Sequence, residues 1–220
     1  MADAGQVFFG SDRLERSVSV VVDPRDFVTG GRMPVPLQVS LKDVAAEPIA
    51  ARSGVYCFTD LKLAAANYTV QVRPRTSDSD RFFDAEKQFT LAVVPVPAQP
   101  LQRNAVTVQL LPRPAYPFDA QATLARGRLV KTSDKSPLTG AQISLILDGA
   151  NLGRRGQTDE RGEFAVFFPP SLPQDETTAG LKDFKFKLQF EIEGNTHVTT
   201  EATIKEGTTK SVNEIEFPGT

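Results

Sequence analysis

Apolar and polar residues alternate with a period of two along most of this chain, and the 3.6-residue period of a helix is nearly absent. The clearest run is residues 184–193. Phe184, Phe186, Leu188, Phe190 and Ile192 fall on one side; Lys185, Lys187, Gln189, Glu191 and Glu193 fall on the other. A strand patterned in this way has one buried face and one wet face. Shorter runs repeat the pattern, as in Val18, Val20, Val22 and in Leu37, Val39, Leu41. The alternation predicts strands over 17–22, 36–41, 48–52, 55–58, 68–72, 89–93 and 106–110. A second series follows over 123–130, 142–147, 155–158, 163–168, 184–193, 197–204 and 211–217. Two sets of seven short strands with frequent turns predict an all-β chain of two tandem immunoglobulin-like β-sandwiches.

The chain also says one thing twice. Ser53-Gly54-Val55-Tyr56-Cys57-Phe58, followed by Tyr68 to Val72, matches Thr158-Asp159-Glu160-Arg161-Gly162-Glu163-Phe164-Ala165-Val166. Each glycine is followed by large apolar residues at plus two and plus four, and each copy comes after an alternating strand that starts at a proline. Between the copies lies Pro112-Arg113-Pro114-Ala115-Tyr116-Pro117, where three prolines exclude a central strand. The expected layout is an arm over 1–16, a first sandwich over 17–111, a stiff Pro-rich linker over 112–118 and a second sandwich over 119–220. The stretch 95–100 competes as a boundary, but cutting there would remove the seventh strand of the first set.

Gly127-Arg128-Leu129-Val130, the run Pro137 to Leu145, and Thr158-Asp159-Glu160-Arg161-Gly162-Glu163-Phe164 resemble the carboxypeptidase regulatory-like domain family. The resemblance is clearest over 123–168, with a weaker copy over 17–111 that lacks the aspartate before its turn glycine. It implies a transthyretin-like (prealbumin-like) sandwich in each half, and structural rather than chemical roles for Gly54, Tyr56, Phe58, Tyr68, Thr158, Asp159, Gly162 and Phe164. Asp159 can accept a bond from the backbone two residues on, Gly162 can take positive φ, and Phe164 then enters the core.

Composition excludes more than it names. The net charge is −2, split as +1 over residues 1–118 (13 basic, 12 acidic) and −3 over 119–220 (12 basic, 15 acidic). Neither half has the basic excess of a nucleic-acid partner. No apolar stretch approaches the roughly 20 residues that span a bilayer, so membrane insertion is not expected. Cys57 is the single cysteine, so no internal disulfide forms and it reads as a packing residue in a strand. With one histidine, His197, the chain cannot build a zinc cluster or the two-His, two-Tyr iron site of intradiol dioxygenases. Nor can it build the multi-histidine site of the transthyretin-like hydroxyisourate hydrolases. No nucleophile-elbow motif occurs. Asp78, Asp80 and Asp84 lack the ligand spacing of a calcium loop. Lys131, at the end of the first strand of the second set, and Asn213, in phase with Ile215 and Phe217, are a candidate pair for an isopeptide bond of the Cna-B kind, and no inward-facing carboxylate stands out to activate them. The chain is thus expected to have no cofactor, no metal and no enzymatic activity.

These exclusions predict a non-catalytic structural or adaptor protein that binds other protein subunits, with a component of a phage-tail-like or contractile injection assembly as the leading example. A cell-surface or periplasmic adhesin or sugar-binding module is the alternative, and an accessory domain pair of a peptidase or other enzyme the third. Residues 1–10 show no secretory signal, which predicts cytoplasmic synthesis and then incorporation into an extracellular or phage-like particle. The arm carries Val7-Phe8-Phe9 ahead of a charged run over 12–16. An apolar cluster of this kind is expected either to dock on a neighbouring subunit or to fold back on the first sandwich.

Overall fold

The computed structural model describes residues 18–59, 61, 67–75, 80–90, 105–170 and 181–218. Among these residues there are fifteen strands and no helix. The fold is all-β. β1 (Val18–Asp26), β2 (Leu37–Leu41), β3 (Ile49–Ala50), β4 (Tyr56–Thr59), β5 (Asn67–Pro74), β6 (Ala85–Thr90) and β7 (Ala105–Leu110) come first. β8 (Leu124–Lys131), β9 (Gln142–Leu147), β10 (Ala150–Gln157), β11 (Glu163–Phe167), β12 (Asp183–Ile192), β13 (Asn195–Val198), β14 (Ala202–Lys205) and β15 (Thr209–Phe217) follow.

The first seven strands form a sheet β3-β4-β1-β7 and a sheet β2-β5-β6. Alternate residues of both sheets meet in one hydrophobic cluster that contains Val20, Val22, Leu37, Val39, Phe58, Val70 and Val108. The later strands form β11-β8-β15 and β10-β9-β12, with β13 and β14 both paired to β12. Their cluster is richer in phenylalanine and holds Phe164, Phe168, Phe184, Phe186, Phe190 and Phe217. Edge-on ring pairs, Phe164 with Phe190 at 5.3 Å and Phe168 with Phe186 at 5.1 Å, fill the space between its sheets.

The two sets share a plan. In each, the opening strand lies inside its sheet, and the closing strand runs parallel to it: β7 beside β1, β15 beside β8. In each, the strand after the repeated glycine pairs antiparallel with the opening strand: Tyr56 opposite Val22, Phe164 opposite Gly127. The third strand differs. β10 follows β9 through Asp148-Gly149, both at positive φ (47° and 86°), the two-residue turn that forces a hairpin. Between β2 and β3 lie residues 42–48, and this longer link carries β3 to the opposite sheet, where it pairs with β4.

Two expectations need correction. The second set has eight strands, not seven, because the run 197–204 breaks into β13 and β14. At the break Thr199 N–H donates to Leu188 O, while Leu188 N–H donates to the Thr199 hydroxyl at 3.0 Å in place of a backbone carbonyl. β1 also runs past Val22 through Pro24 to Asp26. By Pro24 it has outrun β4 and pairs with β7, apart from one bridge from Arg25 to Arg32, a near-edge position that tolerates a missing N–H. The expected strand residues Leu91 and Val93 lie outside the described residues.

Gly54 (φ 80°) and Gly162 (φ 74°) occupy left-handed backbone, yet their surroundings differ. A Cβ at Gly54 would meet the Arg32 side chain at ordinary contact distance, 3.6 Å at its nearest atom; at Gly162 it would collide with the Leu129 carbonyl oxygen. Gly54→Ala should therefore cost about 1 kcal/mol, from conformation alone. Gly162→Ala should cost about 3 kcal/mol or more, since strain and a backbone clash add. Chemical denaturation of the two variants checks this; equal losses would contradict it.

Candidate functional site

The Thr158–Gly162 corner is closed by its own bonds. Asp159 Oδ1 accepts from the N–H groups of Arg161 and Glu163, each at 2.9 Å, and Asp159 O accepts from Gly162 N–H at 3.0 Å. The buried Thr158 hydroxyl accepts from Ala141 N–H at 2.9 Å, and Phe164 is buried just beyond. At the first corner Gly54 N–H donates to Ala51 O, Phe58 is fully buried, and Tyr56 and Tyr68 pack against the first cluster. Tyr68 also contacts the Phe89 ring at 6.0 Å. These groups bond or pack within the fold at both corners. Val7, Phe8 and Phe9 lie outside the described residues.

The side chains that connect distant parts of the chain gather instead around residues 112–118. Pro112 bridges to Phe82, and Tyr116 is buried in the first cluster, edge-on to Phe82 at 5.2 Å and Phe118 at 4.8 Å. The Tyr116 hydroxyl donates to Asp26 Oδ2 at 2.6 Å. Asp26 is itself buried, and its other oxygen accepts from Val28 N–H at 2.8 Å. Burial first, and then the bond to the Asp26 carboxylate, push the Tyr116 phenol well above its ordinary range. The Pro-rich stretch, expected as a stiff linker, is thus packed into the first cluster through Tyr116, an apolar ring that the proline count hides.

Two contacts from this stretch, and a third from Phe27 beside Asp26, reach the later strands. Arg113 grips Glu160 with both Nη1 and Nη2, each at 2.9 Å, while its guanidinium lies 4.9 Å from the Phe83 ring. Arg126 Nη1 donates to Pro114 O at 2.8 Å, and its guanidinium lies 5.3 Å from the Phe118 ring. Arg155, on β10, sits over the Phe27 ring at 5.2 Å. Arginine suits this role because its planar fork holds a carboxylate bidentately and stacks on rings. The hydrogen bond to Arg113 holds the Glu160 carboxyl below its usual range, and the bond to Glu160 raises Arg113. Burial lowers Arg155.

A cleft at this joint is lined by Asp80, Arg113, Arg126, Asp159, Glu160 and Glu163. Both signs of charge are present there, and Arg113 and Glu160 neutralise each other. Among the described residues no three His, Cys, Asp or Glu side chains come together as a metal cluster. Asp84 pairs with Arg73 at 3.3 Å, and Asp78 lies outside the described residues. His197 meets the Phe217 ring edge-on at 5.9 Å. Cys57 is a half-buried free thiol on β4. The isopeptide pair is ruled out by register: Lys131 is opposite Phe217, while Asn213 is exposed, at φ 53°, in the bulge of β15. No helix among the described residues is long and apolar enough to cross a membrane. Periodicity could not reveal the joint, because Arg113, Arg126 and Arg155 carry no spacing that marks them as partners of Glu160, Pro114 and Phe27.

No family model and no curated protein matches the chain. Solved structures do match, loosely. One is the Bacillus anthracis TIE protein, with TM-score 0.29, 11% identity, and coverage of 93% of this chain and 34% of that one. This chain therefore spans about a third of that protein. A second is shaft pilin SpaA from Lactobacillus rhamnosus GG, with TM-score 0.29, 12% identity and coverage of 94% and 98%. A third is GBS52, the minor pilin in Streptococcus agalactiae, with TM-score 0.27, 13% identity and coverage of 80% and 67%. At these TM-scores the likeness says nothing about what this chain does.

Two outcomes follow from the joint. Tyr116→Phe removes a side-chain donor to a buried carboxylate oxygen, and should cost about 1–3 kcal/mol in chemical denaturation. Asp26→Asn should cost less, because an amide oxygen or nitrogen can still meet the hydroxyl. The second outcome concerns pH. The folded-state pKa of Glu160 is depressed, so the Arg113–Glu160 contribution is present above the unfolded value and is lost as pH falls through the folded one. Because Glu160 is largely exposed, the stability change is small. Scattering curves should therefore show loosening only once the pH falls below the ordinary glutamate range. The step should be absent in Glu160→Gln.

Proposed function

We propose that this chain is a non-catalytic structural protein that binds other protein subunits in a larger assembly. The observation that carries the reading is the joint: its charged groups hold one part of the chain to another, and its cleft brings no nucleophile to a base. Arg113 and Arg126 are both committed within the chain. A module of fixed geometry with little chemistry of its own serves to place its surfaces relative to partners.

Within that class, a cell-surface module of adhesin or pilus type is the reading favoured here. A joint fixed by bidentate and stacked arginines suits an extended stalk, where bending between units would waste reach. A sugar-binding role draws less support. The chain has no Trp and three tyrosines, of which Tyr116 is buried and Tyr56 and Tyr68 pack against the core. A phage-tail-like or contractile injection component draws no support from any residue. The kinship with carboxypeptidase regulatory-like domains remains part of the proposal, supported by the closed Thr158–Gly162 corner and by the parallel closing strands.

Fractionation of the source cells tests the reading. The chain should sediment with the cell envelope or a high-mass particle, and the purified protein should contain no stoichiometric iron or zinc. A chain that stays monomeric in the soluble fraction, or that carries a metal and turns over a substrate, would overturn it.

A further inference from the structure

The outer face of the sheet β3-β4-β1-β7 carries an apolar row that the core does not use. Val20 and Val22 of β1 are fully buried, so Val21 points away from the core. Register then fixes its neighbours across the sheet. Val21 is opposite Cys57 on β4 and Ala105 on β7, and Cys57 is opposite Ile49 on β3. Ile49, Cys57, Val21 and Ala105 thus form one line across all four strands. Ile49 is 47% exposed, Ala105 is exposed, and Val21 and Cys57 are half-buried. Two residues along β1, the same face turns polar, with Asp23 and Arg25 bonded to each other at 2.8 Å. Isolated surface apolar residues need no explanation, but four aligned across a sheet are a patch.

We propose that this row is the seat of the N-terminal arm, and that Val7-Phe8-Phe9 of the same chain cover it. Size argues against a second copy as the occupant. Four strands spaced about 4.8 Å apart make a row about 15 Å long. One side chain per strand falls well short of the roughly 800 Å² per partner that a stable dimer buries. Three consecutive apolar residues span about 10 Å and cover about two thirds of the row. Connection argues for the arm. The described chain enters this sheet at Val18 on β1, three residues from Val21. The nine residues from Phe9 to Val18 can span about 30 Å, enough to turn back over any strand of the sheet. The charged run over 12–16 would make the turn in solvent. Tethering also gives the arm an effective concentration in the millimolar range, which a free copy must exceed to displace it.

Cys57 sits in the middle of the row and is the only cysteine, so its alkylation by iodoacetamide in the folded protein reads the cover directly. The described members of the first core cluster run from Val20 to Tyr116, so the comparison uses a chain lacking residues 1–10 whose fold is checked by its thermal melt. Its Cys57 should react about tenfold faster than in the intact chain, the protection that about 1.4 kcal/mol of docking supplies. Phe8→Ser with Phe9→Ser should do the same. Ile49→Glu, at the exposed end of the row, should raise both Cys57 reactivity and tryptic cleavage at Arg13 and Arg16. Protection in the intact chain should not change on hundredfold dilution. Equal rates with and without the arm would overturn the proposal. Protection that disappears on dilution would also overturn it, and would assign the cover to another copy.

Discussion

One buried hydrogen bond, from the Tyr116 hydroxyl to Asp26 at 2.6 Å, holds the middle of this chain in place. Asp26 ends β1, the opening strand, and Tyr116 lies ninety residues later in the proline-rich stretch. A buried carboxylate is tolerable only when its oxygens are satisfied, and here one is met by Tyr116 and the other by the backbone at Val28. The pair therefore fixes where residues 112–118 lie. Arg113 can meet Glu160, and Arg126 can meet Pro114 O, because that stretch is anchored. The three arginine contacts convert the anchor into a link between the earlier and later strands. Each alone is modest; together they constrain direction as well as distance, since a bidentate pair and stacked guanidiniums have fixed planes.

The chain puts its polar groups into geometry, and that shapes what it can do. Asp159 turns the corner before β11, Thr199 breaks an edge strand, and Thr158 ties β11's approach to Ala141. Asp159, the titratable group among the three, is thereby committed as an acceptor. The edges are managed as well. β10 carries two register shifts and Gly153 at φ 75°, and β15 carries a bulge, both devices that discourage uncontrolled strand addition. Docking through a sheet face is then a more controlled route to contact than docking through an edge.

Strand identity was legible because burial imposes a period of two. Phe184 to Ile192 could be read directly, as could the strands after Gly54 and Gly162. Sheet membership was harder, since it depends on link length and turn type. Asp148-Gly149 is a strong hairpin signal that would have paired β10 with β9, and the strand expected at 155–158 started too late to use it. Gly127 could not be interpreted from sequence. It sits in β8 because a Cβ would lie 2.8 Å from the Phe164 ring and from Asn213 O, atoms brought there only by the fold. The prolines at 112–117 signalled an interruption correctly, but the burial of Tyr116 and the reach of Arg113 depend on partners far along the chain. Long-range pairs between polar residues leave no periodic trace.

The central claim is that residues 112–118 lock the two clusters into one fixed arrangement. A pair of spin labels reads this most directly. With Cys57→Ser as background, labels at Gln38→Cys and Thr203→Cys sit on exposed positions of the earlier and later strands. The locked joint predicts a single narrow distance distribution in the native chain, which broadens when Arg113→Gln and Arg126→Gln are combined. A distribution already broad in the native chain, and unchanged by those substitutions, would contradict the account.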